Sequence, residues 1–553
     1  MKNFWIGLSL VAVLSACDQR QVSLNIVPYP DEMTVGKGRL HLAGTDIRID
    51  PAFDSLSRQA VAAFAERLSE VTGKTSRLLT RADRKGLTFR LDSLLEQEEY
   101  QIVVTRSGAV VSAAGTNGVV YGIQTLSQSL PPAFFGDAAV PQEDWSVPCM
   151  TVRDKPRFAY RGLMLDCARH FFSVEEVKRI LDVMMLHKLN TFHWHLTDDQ
   201  GWRLEIKKYP ALTDVGAFRN RKSFDQKDDE PYGGYYSQEQ VRDIVRYAAV
   251  RGITVIPEIE MPGHILSALA AYPQLGCTGG PYKVWLDTGV SQDVLCVGKE
   301  SSYAFVEDVL TEVMELFPSR MIHIGGDECP TAAWERCPHC QKLVRDAGLQ
   351  DSRFYKAESY LQSLFTKRIL RFLEAHGRTL LGWDEIIEHD LDTTAVVMAW
   401  RALGTGFLAA ERGYRVVLSP HDFTYLDYPQ SLYFDREPLA LGNYQPLEKV
   451  YSYEPAPGVP DEFRARILGV QANQWCGRVV QSKHLEYMLL PRLAAISEVQ
   501  WCRPERKDLH RFKQSLPGLF EIYDRKGLTY SRAVFGEYGL PGYDGPKGPW
   551  PTD

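Results

Sequence analysis

The stretch Ile322-His323-Ile324-Gly325-Gly326-Asp327-Glu328 has the pattern of a buried strand that ends on two glycines and two acids. Glycines let a ligand approach the backbone closely, because they carry no side chain. Carboxylates are the usual groups for acid and base chemistry on a sugar. However, successive strand residues point to opposite faces, and a two-carboxylate glycosidase needs its acids about 5 to 9.5 Å apart across the scissile bond. We therefore expect the nucleophile to come from elsewhere.

Outward from this stretch, short apolar strands alternate with helical stretches from Tyr160 onward. This alternation is typical of βαβ units with parallel strands. Eight units predict a (β/α)8 TIM barrel, which we place at residues 154–535, and an open doubly wound sheet is the alternative. The predicted strands are Gly162–Asp166, Thr191–Leu196, Thr254–Glu258, Met321–Gly326, Thr379–Trp383, Ala395–Trp400, Arg415–Leu418 and Ile467–Gln471.

Polar and aromatic residues follow every predicted strand, at the end where barrel enzymes have their active sites. One polar strand end has an ordinary structural explanation, but the pattern recurs at all eight. We therefore predict a single site built from Asp166, Arg169, His170, Asp198, Asp199, Glu258, Glu260, His264, Asp327, Glu328, Trp383, Asp384, Glu385, Trp400, Arg401, Tyr425, Asp427, Asn473 and Trp475. The four aromatic residues of this set suit the apolar face of a sugar ring or an N-acetyl methyl group.

The chain before the barrel predicts a small α+β accessory domain at residues 23–150. Apolar residues follow helical spacing from Val61 to Val71, and two strands are predicted at Tyr100–Thr105 and Ala109–Ala113. A helix at Asn117–Leu130 then leads into a proline-containing linker at Pro131–Pro156. We predict a C-terminal tail at residues 536–553.

The composition excludes two classes of protein. With 44% hydrophobic and 24% charged residues and no low-complexity tract, the chain is not a disordered scaffold. A net charge of -7 gives no basic surface for nucleic acid.

The first residues predict export. Residues 1–16 combine an early lysine with a short apolar run, as in a signal peptide. Leu14-Ser15-Ala16-Cys17 resembles a bacterial lipoprotein processing site, which would leave Cys17 lipidated. We therefore expect a periplasmic or cell-surface protein that touches a membrane, most simply the outer membrane, only through its lipid anchor. A plain cleaved signal peptide is the alternative.

Cysteine and histidine residues raise the question of disulfides and metal. Ten cysteines leave nine if Cys17 carries lipid, so at least one thiol stays free, and Cys277 and Cys296 bracket a loop that a disulfide would stabilise by roughly 3 kcal/mol. Two zinc sites are conceivable, one at Cys329, Cys337 and Cys340 with His339, and one at the His193-Trp194-His195 motif. Because no second CxxC motif and no further ligands of the histidine pair can be identified, we expect no metal.

Six segments together resemble the β-N-acetylhexosaminidases of glycoside hydrolase family 20. They are Arg161–Asp166 with Ala168-Arg169-His170, His193–Trp202, Pro257–His264, His323–Glu328, Gly382–Glu385, and Gln471–Asn473 before Trp475. Val27–Pro30 and Tyr121–Gln124 resemble the accessory domain of the same family, so the likeness covers nearly the whole mature chain.

The resemblance supplies the missing nucleophile, because this family is an exception to the two-carboxylate rule and uses its substrate. It implies that the 2-acetamido oxygen of the sugar attacks the anomeric carbon, giving an oxazolinium intermediate that water opens with retention. Glu328 would act as general acid and base, and Asp327 would hold the acetamide nitrogen. We expect burial and the charge of Asp327 to raise the pKa of Glu328.

The resemblance also assigns the residues around the sugar. Trp383, Trp400 and Trp475 would wall the acetamide pocket, and Tyr425 would donate a hydrogen bond to the acetamide oxygen. Arg161 would bind the hydroxyls O3 and O4, Asp427 would accept from O4 or O6, and His264 with Asp198 would form a relay behind Glu328.

One position departs from the family. Two residues after the last pocket tryptophan the family usually has a glutamate that binds hydroxyls around O4 and O6, whereas Trp475 is followed here by Cys476-Gly477-Arg478. Because arginine suits sulfate, one hypothesis is that the enzyme accepts 6-O-sulfated N-acetylglucosamine. The alternative is that another loop residue supplies the hydroxyl contact.

The sequence therefore predicts an exo-acting retaining β-N-acetylhexosaminidase that needs no cofactor and whose partner is a glycan. The alternatives are a non-catalytic carbohydrate-binding protein on the same barrel and a zinc-dependent barrel hydrolase. The oligomeric state stays open.

Overall fold

A computed structural model of the protein describes residues 24–80, 86–221, 230–479, 481–545 and 547–548. The predicted signal peptide at residues 1–16 and the predicted lipid attachment at Cys17 lie outside the described residues. No helix within the described ranges is long and apolar enough to cross a membrane.

The first domain is a mixed seven-stranded sheet with two helices packed on it. The sheet has the strand order β1-β7-β5-β6-β4-β2-β3. Its elements are β1 Glu32–His41, β2 Ile47–Ile49, α1 Ser55–Thr72, β3 Leu78–Thr80, β4 Gly86–Leu91, β5 Tyr100–Thr105, β6 Gly108–Ala113, α2 Thr116–Gln128, a 3-10 turn at Pro132–Phe135, and β7 Ser146–Asp154.

Local sequence explains where the first helix begins and ends. The Asp54 side chain accepts a hydrogen bond from Ser57 N at the N-terminus of α1, and Gly73 ends the helix with a φ of 65°. The apolar residues between them form its buried face. The predicted linker at Pro131–Pro156 is wrong in its second half, because β7 pairs with both β1 and β5 inside the sheet.

The second domain is a closed barrel of eight parallel strands in the order β14-β15-β16-β17-β18-β19-β8-β9, which confirms the predicted TIM barrel after a small domain. The barrel strands with the short hairpin strands between them are β8 Tyr160–Asp166, β9 Thr191–His195, β10 Thr197–Asp198, β11 Gly201–Trp202, β12 Phe218–Arg219, β13 Tyr232–Gly233, β14 Thr254–Glu258, β15 Met321–His323, β16 Thr379–Trp383, β17 Val396–Ala399, β18 Arg415–Leu418 and β19 Ile467–Gln474.

Helices surround the barrel and bury one apolar face against it. Capping boxes start two of them, Ser173 with Glu176 at α3 and Ser237 with Gln240 at α5. The helices are α3 Val174–Leu186, α4 Ala211–Asp214, α5 Gln238–Val250, α6 Leu266–Ala271, α7 Glu300–Leu316, α8 Ala332–Arg336, α9 Pro338–Asp346, α10 Ser359–Ala375, α11 Leu403–Glu411, α12 His421–Thr424, α13 Leu447–Ser452, α14 Asp461–Arg464, α15 Ser482–Leu489, α16 Arg492–Trp501 and α17 Leu509–Arg525, with 3-10 turns at Pro273–Leu275, Asp384–Ile387, Pro504–Arg506 and Ala533–Phe535.

The predicted C-terminal tail packs on the barrel where the structure describes it. Leu540 and Tyr543 are buried with Tyr487 and Met488. Gly548 N donates to Glu437 O at 3.1 Å, so this segment supports the loop after β18.

Candidate active site

The central strand ends earlier than predicted, at His323 instead of Gly326. Gly325 and Gly326 have φ angles of 65° and 90°, which an L side chain rarely adopts, so the backbone leaves the strand there. Glu328 itself has a φ of 45°. Asp327 and Glu328 therefore lie on irregular backbone beyond the strand, and the alternation of faces along a strand does not separate them.

The first of these two glycines also makes room for a buried acid. A Cβ atom at Gly325 would lie 1.7 Å from Glu260 Oε2, so only glycine allows the Glu260 carboxyl group to pack against this backbone. The two glycines thus determine the direction of the backbone, and the first of them also determines the position of the buried Glu260 carboxyl group.

A cavity of about 350 Å³ opens at the C-terminal ends of the barrel strands. It lies where barrel enzymes bind their substrates. Its lining includes Asp166, Arg169, Gln200, Thr288, Gly289, Asp327, Glu328, Trp383, Trp400, Tyr425, Asp427, Tyr428, Leu439, Leu441, Gln474, Trp475, Gly477, Arg478 and His484.

Four aromatic side chains form one wall of this cavity. The ring centroids of Trp400 and Tyr425 lie 6.2 Å apart with nearly parallel planes, and those of Trp383 and Trp475 lie 5.9 Å apart. Each of two indole N–H groups donates to a carboxylate, Trp383 Nε1 to Glu258 at 2.7 Å and Trp400 Nε1 to Glu385 at 3.1 Å. These bonds hold the two indole rings in position before any ligand binds.

His264 connects the two acids to a buried carboxylate. Its Nδ1 atom lies 3.1 Å from Asp198 Oδ1, while its Nε2 atom lies 3.5 Å from Glu328 Oε2 and 3.8 Å from Asp327 Oδ2. Burial alone would lower the pKa of His264, but the carboxylates of Asp198 and Asp327 outweigh it and hold the pKa well above its usual value. The imidazole therefore carries a proton and a positive charge next to Glu328.

This positive charge contradicts the expected pKa of Glu328. The contact with the His264 imidazole at 3.5 Å lowers the pKa of Glu328, and it outweighs the effect of burial. The raised pKa belongs to the neighbouring acid instead, because burial raises the pKa of Asp327 to about 7. The predicted direction for Glu328 was wrong, since it considered burial and the adjacent charge but not an imidazolium group.

Among the described residues that line the cavity, two buried carboxylate oxygens lack a hydrogen-bond partner. They are Asp327 Oδ1 and Asp427 Oδ1. Buried acceptors are almost always hydrogen-bonded, so each is suited to receive a donor from a ligand. Burial also raises the pKa of Asp427 to about 7.

Arg161 is not part of the site, and the prediction that it binds sugar hydroxyls is wrong. It lies near the start of β8, at the opposite end of the barrel from the cavity. Its side chain is 1% exposed and forms a paired contact with Glu98 of the first domain, at 2.8 and 3.0 Å. It therefore joins the two domains.

Arg169 is the arginine that lines the cavity. Its Nη2 atom lies 2.8 Å from Asp198 Oδ2, and its guanidinium carbon lies 5.0 Å from the centre of the Trp475 ring. Sequence reasoning placed Arg169 at a strand end but gave it no sugar contact. The signal was available, since Arg169 follows the end of β8 whereas Arg161 lies near its beginning.

The remaining predicted positions lie as follows. Arg478 and Gly477 line the same cavity as Asp427, so the departure from the family pattern faces the site. His193 and His195 lie inside the barrel, where His193 Nε2 is 2.9 Å from Glu258 and His195 Nδ1 is 3.1 Å from Asp166. Both histidines thus have carboxylate partners.

Comparisons with known proteins agree with this arrangement. The model of the glycosyl hydrolase family 20 catalytic domain matches residues 158–504, and the model of domain 2 of that family matches residues 23–155. A β-hexosaminidase of Porphyromonas gingivalis is 39% identical over 562 residues, covering 96% of this chain and 68% of the relative. A β-hexosaminidase of Vibrio furnissii is 36% identical over 485 residues, covering 86% and 76%.

Solved structures give the same result. The family 20 exo-β-N-acetylglucosaminidase of Vibrio harveyi, solved in complex with N-acetylglucosamine, has a TM-score of 0.80 at 31% identity and covers 92% of this chain and 78% of its own. The β-N-acetylhexosaminidase of Bacteroides fragilis has a TM-score of 0.77 at 31% identity, covering 92% and 96%. The chain therefore belongs to glycoside hydrolase family 20, the β-N-acetylhexosaminidases, and is a glycosidase.

Proposed function

We propose that the protein removes terminal β-linked N-acetylglucosamine or N-acetylgalactosamine by substrate-assisted catalysis through an oxazolinium intermediate. The observation that carries this proposal is the buried Asp327 Oδ1, an acceptor without a partner among the described residues, next to Glu328 in an aromatic cavity. The acetamide N–H of the substrate would satisfy that acceptor. The acetamide oxygen would then point at the anomeric carbon, and such positioning is a large source of rate.

Glu328 protonates the leaving oxygen in this proposal. In the free protein its pKa is lowered by the contact with the His264 imidazole. A bound sugar excludes water from Glu328 and His264. This loss of solvation disfavours the charged forms of both side chains. The proton of His264 then moves to Glu328, and the adjacent Asp198 carboxylate keeps the imidazole ready to take the proton back when water opens the intermediate.

The decisive experiment removes the acetamide from the substrate. We would compare kcat/KM on the nitrophenyl β-N-acetylglucosaminide with kcat/KM on the matching β-glucoside. Substrate assistance predicts that the glucoside is hydrolysed at least a thousandfold more slowly, as for intramolecular reactions in general, whose effective molarities reach about 10⁵ M or more. Equal rates would exclude the acetamide as nucleophile. Binding of both sugars without turnover would instead favour a carbohydrate-binding protein.

A finer proposal concerns the substituent at C6. Arg478 lines the cavity together with Asp427, and Gly477 occupies the position where the family usually has a glutamate. A missing acid and a nearby guanidinium group favour an anionic substituent, since arginine binds sulfate oxygens well. We therefore propose that 6-O-sulfated N-acetylglucosamine is accepted.

The test compares kcat/KM for the plain and the 6-sulfated nitrophenyl sugar. Arg478→Gln should lower the ratio of sulfated to plain turnover by roughly 10- to 100-fold, the value of one charge-assisted contact. Arg436→Gln, at an arginine outside the cavity lining, is the matched control. A wild-type enzyme that hydrolyses only the plain sugar would exclude the sulfate and leave Gly477 a neutral replacement.

We also propose that the protein is exported and anchored to the outer membrane by lipid on Cys17. The support is the Leu14-Ser15-Ala16-Cys17 motif after an apolar run. Labelling with radioactive or alkyne-bearing palmitate should mark the wild-type chain and not Cys17→Ser. An unlabelled wild-type chain that is still cleaved would indicate an ordinary signal peptide.

A further inference from the structure

Four cysteines from distant parts of the sequence meet beside the active site. Their sulfur atoms all lie within 4.8 Å of one another. We call them the four-cysteine cluster: Cys277, Cys296, Cys337 and Cys340. We propose that this cluster binds one structural zinc ion, which fixes a substrate-facing loop to the segment that follows the catalytic acid.

The distances match a tetrahedral metal site. Cys296 Sγ lies 3.5 Å from Cys337 Sγ and 3.7 Å from Cys340 Sγ, and Cys277 Sγ lies 4.0 Å from Cys340 Sγ. Four sulfurs at the Zn–S distance of 2.3 Å in a tetrahedron are about 3.8 Å apart. The cluster therefore has room at its centre for zinc and for little else.

The same distances argue against disulfides, which an exported protein would otherwise favour. A disulfide joins one sulfur to a single partner at about 2.05 Å. Here Cys296 has two partners at almost equal distance, and Cys340 has two as well. All nine described cysteines are free thiols, including the pair for which the loop length suggested a bridge.

The backbone is built to bring these cysteines together. Gly276 and Leu295 form an antiparallel bridge, so Cys277 and Cys296, the next residue on each strand, lie diagonally across it on one face. Cys337 caps the N-terminus of α9 and Cys340 lies in its first turn, where the helix dipole favours thiolates. A Cβ atom at Gly298 would lie 2.3 Å from the backbone of His339, so glycine is required for this close approach.

The site explains how two loops of the cavity hold their positions. Thr288 and Gly289 line the cavity and lie between the first two cysteines. The other two cysteines follow Glu328 in the sequence. Trp334 lies in the sequence between Glu328 and these cysteines, and its Nε1 donates a hydrogen bond to Leu295 O at 2.9 Å. A zinc ion would thus tie the substrate-facing loop to the acid-bearing segment. The sequence suggested Cys337 and Cys340 as zinc ligands, but with Cys329 and His339. It missed Cys277 and Cys296, because these two cysteines have no CxxC spacing.

The experiment is a metal analysis of the full chain purified without chelator, together with its intact mass. We expect about one zinc per chain and a mass without loss of hydrogen. Cys277→Ser and Cys340→Ser should lose the zinc, while Cys149→Ser, at a buried cysteine outside the cluster, should keep it. A zinc-free chain that is lighter by 2 Da for each disulfide would overturn the proposal, and so would stoichiometric iron in place of zinc.

If the variants do not fold, cobalt exchange into the wild-type chain gives the same answer. Tetrahedral thiolate coordination predicts intense visible bands and sulfur-to-cobalt charge transfer, and their absence would overturn the proposal.

The positioning role rests on the proposed function and has its own readout. Removal of zinc with a mercurial and chelator should raise KM more than it lowers kcat, whereas the zinc content tests the site itself independently of activity.

Discussion

The Nε2 atom of His264 lies 3.5 Å from the Glu328 carboxylate, and its Nδ1 atom contacts Asp198 at 3.1 Å. In the proposed mechanism this arrangement lets Glu328 and His264 share a proton. His264 favours the ionised form of Glu328 in the free protein. We therefore expect proton transfer by Glu328 to depend on both residues.

Glu328→Gln should lower kcat/KM by about 10²- to 10⁴-fold, because an amide cannot protonate the leaving oxygen. Substrates whose leaving group needs no proton, such as dinitrophenyl glycosides, should lose much less in the first chemical step. Glu335→Gln, at a partly exposed glutamate on α8, is the control and should leave both values unchanged. Equal losses on both substrates would assign Glu328 a role other than proton donation.

His264→Asn should shift the alkaline limb of the kcat/KM profile to lower pH. In the wild type the proton comes from a pair whose imidazole has a pKa well above its usual value, so activity declines only when the pH passes that raised pKa. Without the imidazole, Glu328 loses its proton nearer the ordinary pKa of a glutamate, about 4.3. Asparagine tolerates the φ of 48° at this position. An unmoved alkaline limb would exclude His264 as the proton source.

Arg161→Met should destabilise the protein by roughly 3–5 kcal/mol, because it leaves Glu98 in a largely buried site without its cation. The folded enzyme should keep its KM. Arg161→Met combined with Glu98→Gln should recover part of the loss, as denaturant unfolding would show. Arg169→Lys should behave in the opposite way and lower kcat/KM roughly 10- to 100-fold through lost contacts in the cavity. A raised KM in Arg161→Met would restore the original assignment.

Asp427→Asn should stabilise the protein at pH 8 by on the order of 2 kcal/mol while lowering kcat/KM. Burial raises the pKa of Asp427 to about 7, so the native state binds more protons than the unfolded state between about pH 4 and 7. The free energy of unfolding of the wild type therefore decreases as the pH rises through this window, whereas that of the variant does not.

The control for this prediction is Asp422→Asn, at an exposed aspartate on α12. It should have the same pH dependence of unfolding as the wild type. A gain of Asp427→Asn that is equal at pH 4 and pH 8 would show that the cause is not the titration of Asp427.

The sequence predicted the barrel well because its strands are apolar, short and regularly spaced. The bounds of Thr254–Glu258, Thr379–Trp383 and Arg415–Leu418 agree with the structure. The strand at Met321 was predicted three residues too long, because a run of apolar residues does not reveal where the following glycines take positive φ angles. The four-cysteine cluster was missed for a related reason, since only the fold brings Cys277 next to Cys340.

The roles within the site were harder to predict, because the likeness to the family was matched to the wrong arginine of one segment although strand position distinguishes the two. Arg161 and Arg169 are the first and last arginines of one matching segment, yet they lie at opposite ends of β8. The pKa order of Asp327 and Glu328 required His264, which comes from a different strand. Local sequence therefore identifies the residue types of this site, while the electrostatics needs the assembled structure.

The contact between Arg161 and Glu98 also bears on how such enzymes can diverge. The carboxylate belongs to the first domain and its only described arginine partner belongs to the barrel, so a chimera with a relative that lacks the matching charge would lose this ion pair. Such a chimera would leave either a half-buried carboxylate or a buried guanidinium without its counterpart. We therefore expect the exchange of one domain alone to lower the stability of the enzyme, although only one of the two domains contains the cavity.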